Sequence, residues 1–196
     1  MFFMANFRSL HLTRNNLKTF YLAITGLMFF LHTKMISMQE VQSAPKMYRQ
    51  EMVDSKDVAD FLVNTTHLHL MALKEGEEAI EKGTVDNIKA YGELMVRDKT
   101  SLLVTIRELA QARQVVLPEK LSEDNAKDLE RLKAKSGVDF NKAFVKMIYC
   151  AHKQALKDFQ KAASNLEDKE VSTFASRYIS TINLQIIRIE KIKERM

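Results

Sequence analysis

From Asp139 to Asp168 the chain reads DFNKAFVKMIYCAHKQALKDFQKAASNLED. Within it Phe140, Phe144, Ile148, Ala151, Ala155, Phe159, Ala162 and Leu166 recur every three or four residues, with Lys, Gln and Asp between them. That is the period of a helix carrying one apolar stripe, and it does not fit the two-residue alternation of a half-buried strand. Asp139 supplies the capping carboxylate at its start. Asp168 or a neighbour opens a further helix, with Val171, Phe174, Ala175, Ile179, Ile182, Ile186 and Ile189 on its stripe.

Upstream the same period continues. A short helix from Ser122 to about Lys135 carries Leu129 and Leu132 and stops at Gly137. A long one is capped by Thr84 and ends before Pro118, with Ile88, Tyr91, Gly92, Met95, Leu102, Ile106, Leu109 and Ala110 on one face. Another runs from a cap at Asp54 or Ser55 to Gly83, which reads as the residue just past the helix end. Its stripe is Val58, Phe61, Leu62, Thr65, Leu68, Ala72, Gly76, Ala79 and Ile80. Five glycines and two prolines in 196 residues leave little material for the turns of a sandwich, a barrel or a Gly-rich nucleotide fold. The expectation is an all-α chain. Residues 54–196 would form two long antiparallel hairpins with a short helix in the crossover, the ferritin-like kind of four-helix bundle, and 45–53 would form a linker.

Residues 1–44 read differently. Arg8, Arg14 and Lys18 precede twelve uncharged residues, Phe20 to Leu31, and His32, Thr33 and Lys34 end the run. Twelve suits the apolar part of a signal peptide and falls short of the roughly 18 needed to span a bilayer. The segment is read as a signal peptide or, if uncleaved, an N-terminal membrane anchor through 20–31. That implies export to the periplasm or cell envelope; a misassigned start ahead of a cytosolic protein is the plainer alternative. The charge supports the division. The first 44 residues hold four basic residues against Glu40, so of the total of +5 the body keeps +2, with 26 basic and 24 acidic residues left of 30 and 25. Acids and bases alternate there, as in Glu190-Lys191-Ile192-Lys193-Glu194-Arg195 and around Glu75-Gly76-Glu77-Glu78, which does not fit a nucleic-acid surface. The single Cys150 excludes an internal disulfide and a cysteine-based zinc cluster. It falls about 130° from its helix's stripe, which predicts exposure, and oxidation could link two copies into a homodimer.

Helical angles also place polar groups inward. His69 and Lys99 each lie within about 20° of a stripe centre. If the first two long helices turn at Gly83-Thr84, position i faces 168 − i, which sets His69 opposite Lys99 and Gly76 opposite Gly92, the glycines in close backbone contact. On the other hairpin His152 comes near Asn183 and Gln185. With Asp98 these residues form a candidate polar layer or ligand pocket of His69, Asp98, Lys99, His152 and Gln185. Ordinary hydrogen-bonded structural roles are the plain reading of this layer, and a degenerate metal or ligand pocket is the other. Carboxylate-bridged di-iron bundles use Glu-x-x-His pairs. Here Asn64, Thr66 and Tyr149 stand three residues before His67, His69 and His152. His67 and His69 themselves point about 200° apart on a helix and cannot grip one ion.

The block Ile88-Lys89-Ala90-Tyr91-Gly92-Glu93-Leu94-Met95-Val96-Arg97-Asp98-Lys99, then Leu117-Pro118, Gly137-Val138-Asp139-Phe140 and Phe144-Val145-Lys146-Met147-Ile148 resembles the domain of unknown function 4142 family of exported bacterial proteins, over residues 55 to 194. The resemblance implies a ferritin-like helical bundle in the envelope without an established activity. It also implies histidines after Asp98, in the fourth helix and late in the last. Here those positions hold Lys99, Ala151 (with His152 one place on) and Gln185. No Ser-His-Asp set, P-loop or dinucleotide fingerprint occurs. The expectation is therefore a non-enzymatic exported envelope protein, a binding or stress-related bundle with no cofactor, meeting an envelope protein or a small ligand. The alternative is a metal-binding or redox bundle using a divalent metal at an atypical polar site.

Overall fold

The computed structural model describes residues 46–196, with side-chain surroundings from residue 54 onward. The segment expected to direct export, residues 1–44, lies outside the described residues. Five helices follow in order: α1 (Lys46–Lys82), α2 (Asp86–Ala112), α3 (Glu123–Lys133), α4 (Gly137–Asn165) and α5 (Lys169–Glu194). There is no strand among the described residues, and none of their helices is long and apolar enough to cross a membrane.

α1 lies along α2 and α4 along α5; α1 also packs on α4, and α3 bridges α1 and α4. The pairs run antiparallel, since Gly76 meets Gly92 while Gly83 meets Ile88, and Phe159 meets Tyr178 while Tyr149 meets Lys193. Three apolar clusters fill the interior. The one nearest the α1–α2 turn gathers Ile88, Met95, Phe140, Phe144, Ile148 and Ile189. Toward the other end, Leu62, Ile106 and Val171 form a second cluster and Ala155, Phe159 and Ile182 a third.

Several boundaries differ from expectation for identifiable reasons. α1 starts at Lys46, eight residues before the expected cap at Asp54 or Ser55, so 46–53 is helical rather than linker. Residues 46–53, KMYRQEMV, contain no Gly or Pro and are mostly strong helix formers, and Pro45 just upstream suits a helix start. Gly83 closes α1 through its N–H to the Ala79 carbonyl at 3.0 Å. It does so without left-handed backbone: the position needs Gly for space, because a Cβ would lie 2.5 Å from the Ala79 oxygen and 2.8 Å from Ile88 Cγ2. Thr84 does not cap α2. The N-cap is Val85, with no side-chain bond, because buried Asn141 of α4 engages Thr84 instead. Asn141 Nδ2 donates to Thr84 Oγ1 at 2.6 Å, and the Thr84 N–H donates to Asn141 Oδ1 at 3.3 Å. This fastens the α1–α2 turn to the start of α4. Gly137 opens α4 ahead of the expected Asp139, with φ 58°, the left-handed turn that joins it to α3.

Ser122 caps α3, accepting from the Asn125 N–H. Asp168 caps α5, accepting from the N–H groups of Glu170 and Val171. Arg113, just past α2, reaches the same Asp168 with two donors at 2.6 and 2.7 Å and Glu170 with one at 2.9 Å. The guanidinium and the two N–H groups hold the Asp168 carboxyl below its usual value. This clamp ties the end of α2 to the start of α5.

Candidate functional site

Between the apolar clusters lies a layer of buried polar side chains, one or more from each long helix. Lys99 is 1% exposed, His69 2%, Gln185 3% and His152 4%. His69 and Lys99 stand near the centres of their helices' apolar stripes, and His152 and Gln185 stand one place from the stripe residues Ala151 and Ile186; their pairing follows from how the helices dock. Lys99 Nζ donates to Gln185 Oε1 at 3.0 Å and to the Tyr178 hydroxyl at 3.3 Å, and it stands 5.7 Å from the Tyr178 ring centroid. The backbone carbonyl of Gln185 accepts from the Tyr91 hydroxyl at 3.3 Å. The same hydroxyl lies 2.7 Å from His152 Nε2. A phenol has one proton to give, so the tautomer of His152 sets the direction of the second bond. Gln185 thus joins two short chains, one to Lys99 on α2 and one to His152 on α4.

Burial sets the charges in this layer. It pushes the Lys99 ammonium down to about 8, against the stabilising pull of Asp98 and Glu75. It pushes His152 down to about 3, helped by the Lys99 charge. His69 is held well below the usual imidazole value by burial, then by Lys99 and His152. Near neutral pH the layer holds one ammonium and two neutral imidazoles. His69 makes no hydrogen bond with either ring nitrogen; it packs edge-on against Phe159 and Tyr178, with centroids 6.2 and 6.1 Å away. An imidazole treated as an aromatic wedge accounts for its shape but leaves two polar atoms unsatisfied, an arrangement that costs stability.

The expected layer is altered in three places. Asp98 is not in it: its side chain is 26% exposed and pairs with Arg97 at 3.1 Å on the surface. Asn183 is exposed, while Gln185 alone turns inward. Glu75, which was not among the expected residues of the layer, is 3% exposed. Its carboxyl is pushed up to about 7 by burial and by Asp128 of α3, opposed by Lys99. The wheel carried that signal, since Glu75 stands three residues after Ala72 and four before Ala79 on the same stripe. Tyr91 was on its stripe, and a buried phenol calls for a partner. Tyr178 falls beside its stripe, and its role depends on where α2 lies. Gly76 and Gly92 do face each other: a Cβ on Gly92 would come within 2.7 Å of the Gly76 carbonyl oxygen. Cys150 is exposed.

The layer offers few free lone pairs beyond the two ring nitrogens of His69. The Lys99 ammonium has no lone pair and repels a cation, His152 Nε2 is engaged by Tyr91, and Asp98 faces Arg97. Among the described residues no three His, Cys, Asp or Glu side chains converge. A family model described as a domain of unknown function, DUF4142, matches residues 42–192. The chain belongs to that family. In fold, this DUF4142 chain is similar to a DUF305 fragment from Deinococcus radiodurans known from a crystal structure. The TM-score is 0.62 at 13% identity, over 71% of this chain and 97% of that one. No curated protein matches the sequence.

Proposed function

We propose that this DUF4142 chain is a non-enzymatic, exported envelope protein: a metal-free, ferritin-like helical bundle that acts by binding. The observation that carries the reading is the Lys99 ammonium, donating to Gln185 and Tyr178 in a layer that also buries His69 and His152. It fills with a fixed positive charge the place where a metal-binding bundle would gather lone pairs. Its nitrogen is buried in those contacts and lines neither of the two large grooves. The run Phe20 to Leu31 behind three basic residues supports export, or an anchor if it is retained.

One observation favours the metal-binding alternative, namely the two unpartnered ring nitrogens of His69. Protein purified without chelators and analysed for metals decides between them. The proposal expects no stoichiometric iron, zinc or manganese, and a melting temperature independent of added metal. Bound metal at one per chain, lost in His69→Ala, would overturn it. The mature N-terminus, measured by mass spectrometry in fractionated cells, tests the export reading separately.

A further inference from the structure

α2 and α5 are pinned together at two points. At one end Arg113 grips Asp168 and Glu170; toward the middle Lys99 reaches Tyr178 and Gln185. Between these points the helices part, and an open groove of about 860 Å³ runs along them. From Asp98 to Leu109 it is about 16 Å long. Its floor is apolar: Leu102 and Leu109 from α2, Phe174 and Tyr178 from α5. The volume is that of a small-molecule site, and the two pins form it in advance.

The rim is asymmetric in charge. Of its two acids, Asp98 pairs with Arg97, and Glu170 pairs with Arg113, which it shares with Asp168. Its two cations, Lys169 and Arg177, are exposed and make no ion pair among the described residues. They sit eight residues apart on α5, about 12 Å along the helix and about 80° around it, on the helix that also supplies Phe174 and Tyr178. With Asp168 counted beside Arg113, the groove keeps one net positive charge, carried by α5 over an apolar bed. The other large groove, between α1 and α4, contrasts with it, because Asp57, Asp60 and Asp158 stand on its rim beside Lys161.

We propose that the α2–α5 groove binds an anionic amphiphile, a molecule with a carboxylate or phosphate head and a hydrocarbon body. The body lies on Leu102, Leu109, Phe174 and Tyr178, and the head pairs with Arg177 or Lys169. Arg177 is the stronger anchor, since a guanidinium gives two parallel donors to a carboxylate or phosphate. This deepens the binding reading above by naming a place and a ligand class, and it holds whether or not the core carries a metal.

Calorimetric titration of the full chain tests it with three ten-carbon probes below their micelle concentrations: decanoate, decanol and decyltrimethylammonium. Decanoate is expected to bind one per chain, about tenfold tighter than the other two. In Lys169→Glu/Arg177→Glu the preference should reverse toward the cationic probe. Both side chains are exposed and unbonded, so the melting curve should be retained; Arg177→Gln, which removes one charge without adding another, serves if the double variant does not fold, and it should erase most of the decanoate advantage. Equal affinity for the three probes, no binding of decanoate, or an unchanged preference in the charge variants would overturn the proposal. Metal found in the same preparation would refute the metal-free reading and leave these titrations unaffected.

Discussion

Phe144 and Lys99 are equally removed from water, at 0% and 1% exposure, yet they are held in opposite ways. Around Phe144 the interior is apolar: its ring stacks on Phe140 at 6.1 Å with 8° between planes and meets Tyr91 edge-on. Such contacts are numerous, non-directional and mutually replaceable. Around Lys99 everything depends on two acceptors, Gln185 Oε1 and the Tyr178 hydroxyl. A buried ammonium loses its water shell, and only directed bonds offset the loss. The apolar end of the bundle contributes stability. The polar layer fixes which residue of α5 faces which residue of α2, at a cost in stability.

The largest expected effect tests the apolar side. Phe144→Ala should lose about 3 to 5 kcal/mol in urea unfolding, through lost transfer energy and an incompletely collapsed cavity. A loss below about 1 kcal/mol would mean that this end is loosely packed. Next comes the polar side. Gln185→Leu leaves the ammonium with one acceptor and should cost about 3 kcal/mol. The double variant Lys99→Met/Gln185→Leu removes both partners and should regain most of that loss. If the double variant is as unstable as the sum of the single ones, the layer is not a coupled unit.

The buried ammonium also has a pH signature. Below about pH 8 the folded and unfolded chains both hold the Lys99 proton, and the penalty for burying the charge is present in full. Between about 8 and the ordinary lysine value of 10.5 the folded chain releases the proton first, so the unfolded state binds more protons. Stability should therefore rise with pH in that window, by roughly 3 kcal/mol at most, and the rise should vanish in Lys99→Met. Glu75 works in the opposite direction. Its folded carboxyl titrates near 7 against 4.5 for an ordinary one, so its contribution falls as pH rises from about 4.5 to 7. Glu75→Gln should remove that fall. Parallel pH–stability curves for the native chain and Lys99→Met would contradict the assignment of the charge.

The smallest effect probes the close approach of α1 and α2 beside the apolar end. Gly92→Ala gains helix propensity of up to about 1 kcal/mol. It also places a Cβ 2.7 Å from a backbone oxygen that cannot rotate away. A net loss of about 1 to 2 kcal/mol in thermal melting is expected; a gain would show that the helices can separate there freely.

Much of this was legible in the sequence, for a local reason. The stripes of α2, α4 and α5 follow from side-chain spacing within one helix, and the inward direction of His69 and Lys99 follows from the same spacing. Residues 46–53 were misread because Asp54 and Ser55 look like caps, although a cap acts only where the chain stops being helical. Thr84 was misread for a long-range reason, since the residue that engages it, Asn141, lies 57 positions away. Glu75 lies in a run with Glu77 and Glu78, and the helical angle alone sets which of these acids turns inward.

Side-chain spacing along the chain is enough for the helices, their apolar faces and the inward direction of His69 and Lys99. All of these depend on rotation of about 100° per residue along one chain. The tertiary structure alone decided that Lys99 meets Gln185 and Tyr178, that His152 meets Tyr91, that Asp98 turns outward to Arg97, and that α2 and α5 part to leave a basic-rimmed groove. Those outcomes depend on distances and angles between helices. Inter-helix geometry is set by the volumes of every side chain packed between them, and no periodicity within a single helix contains it.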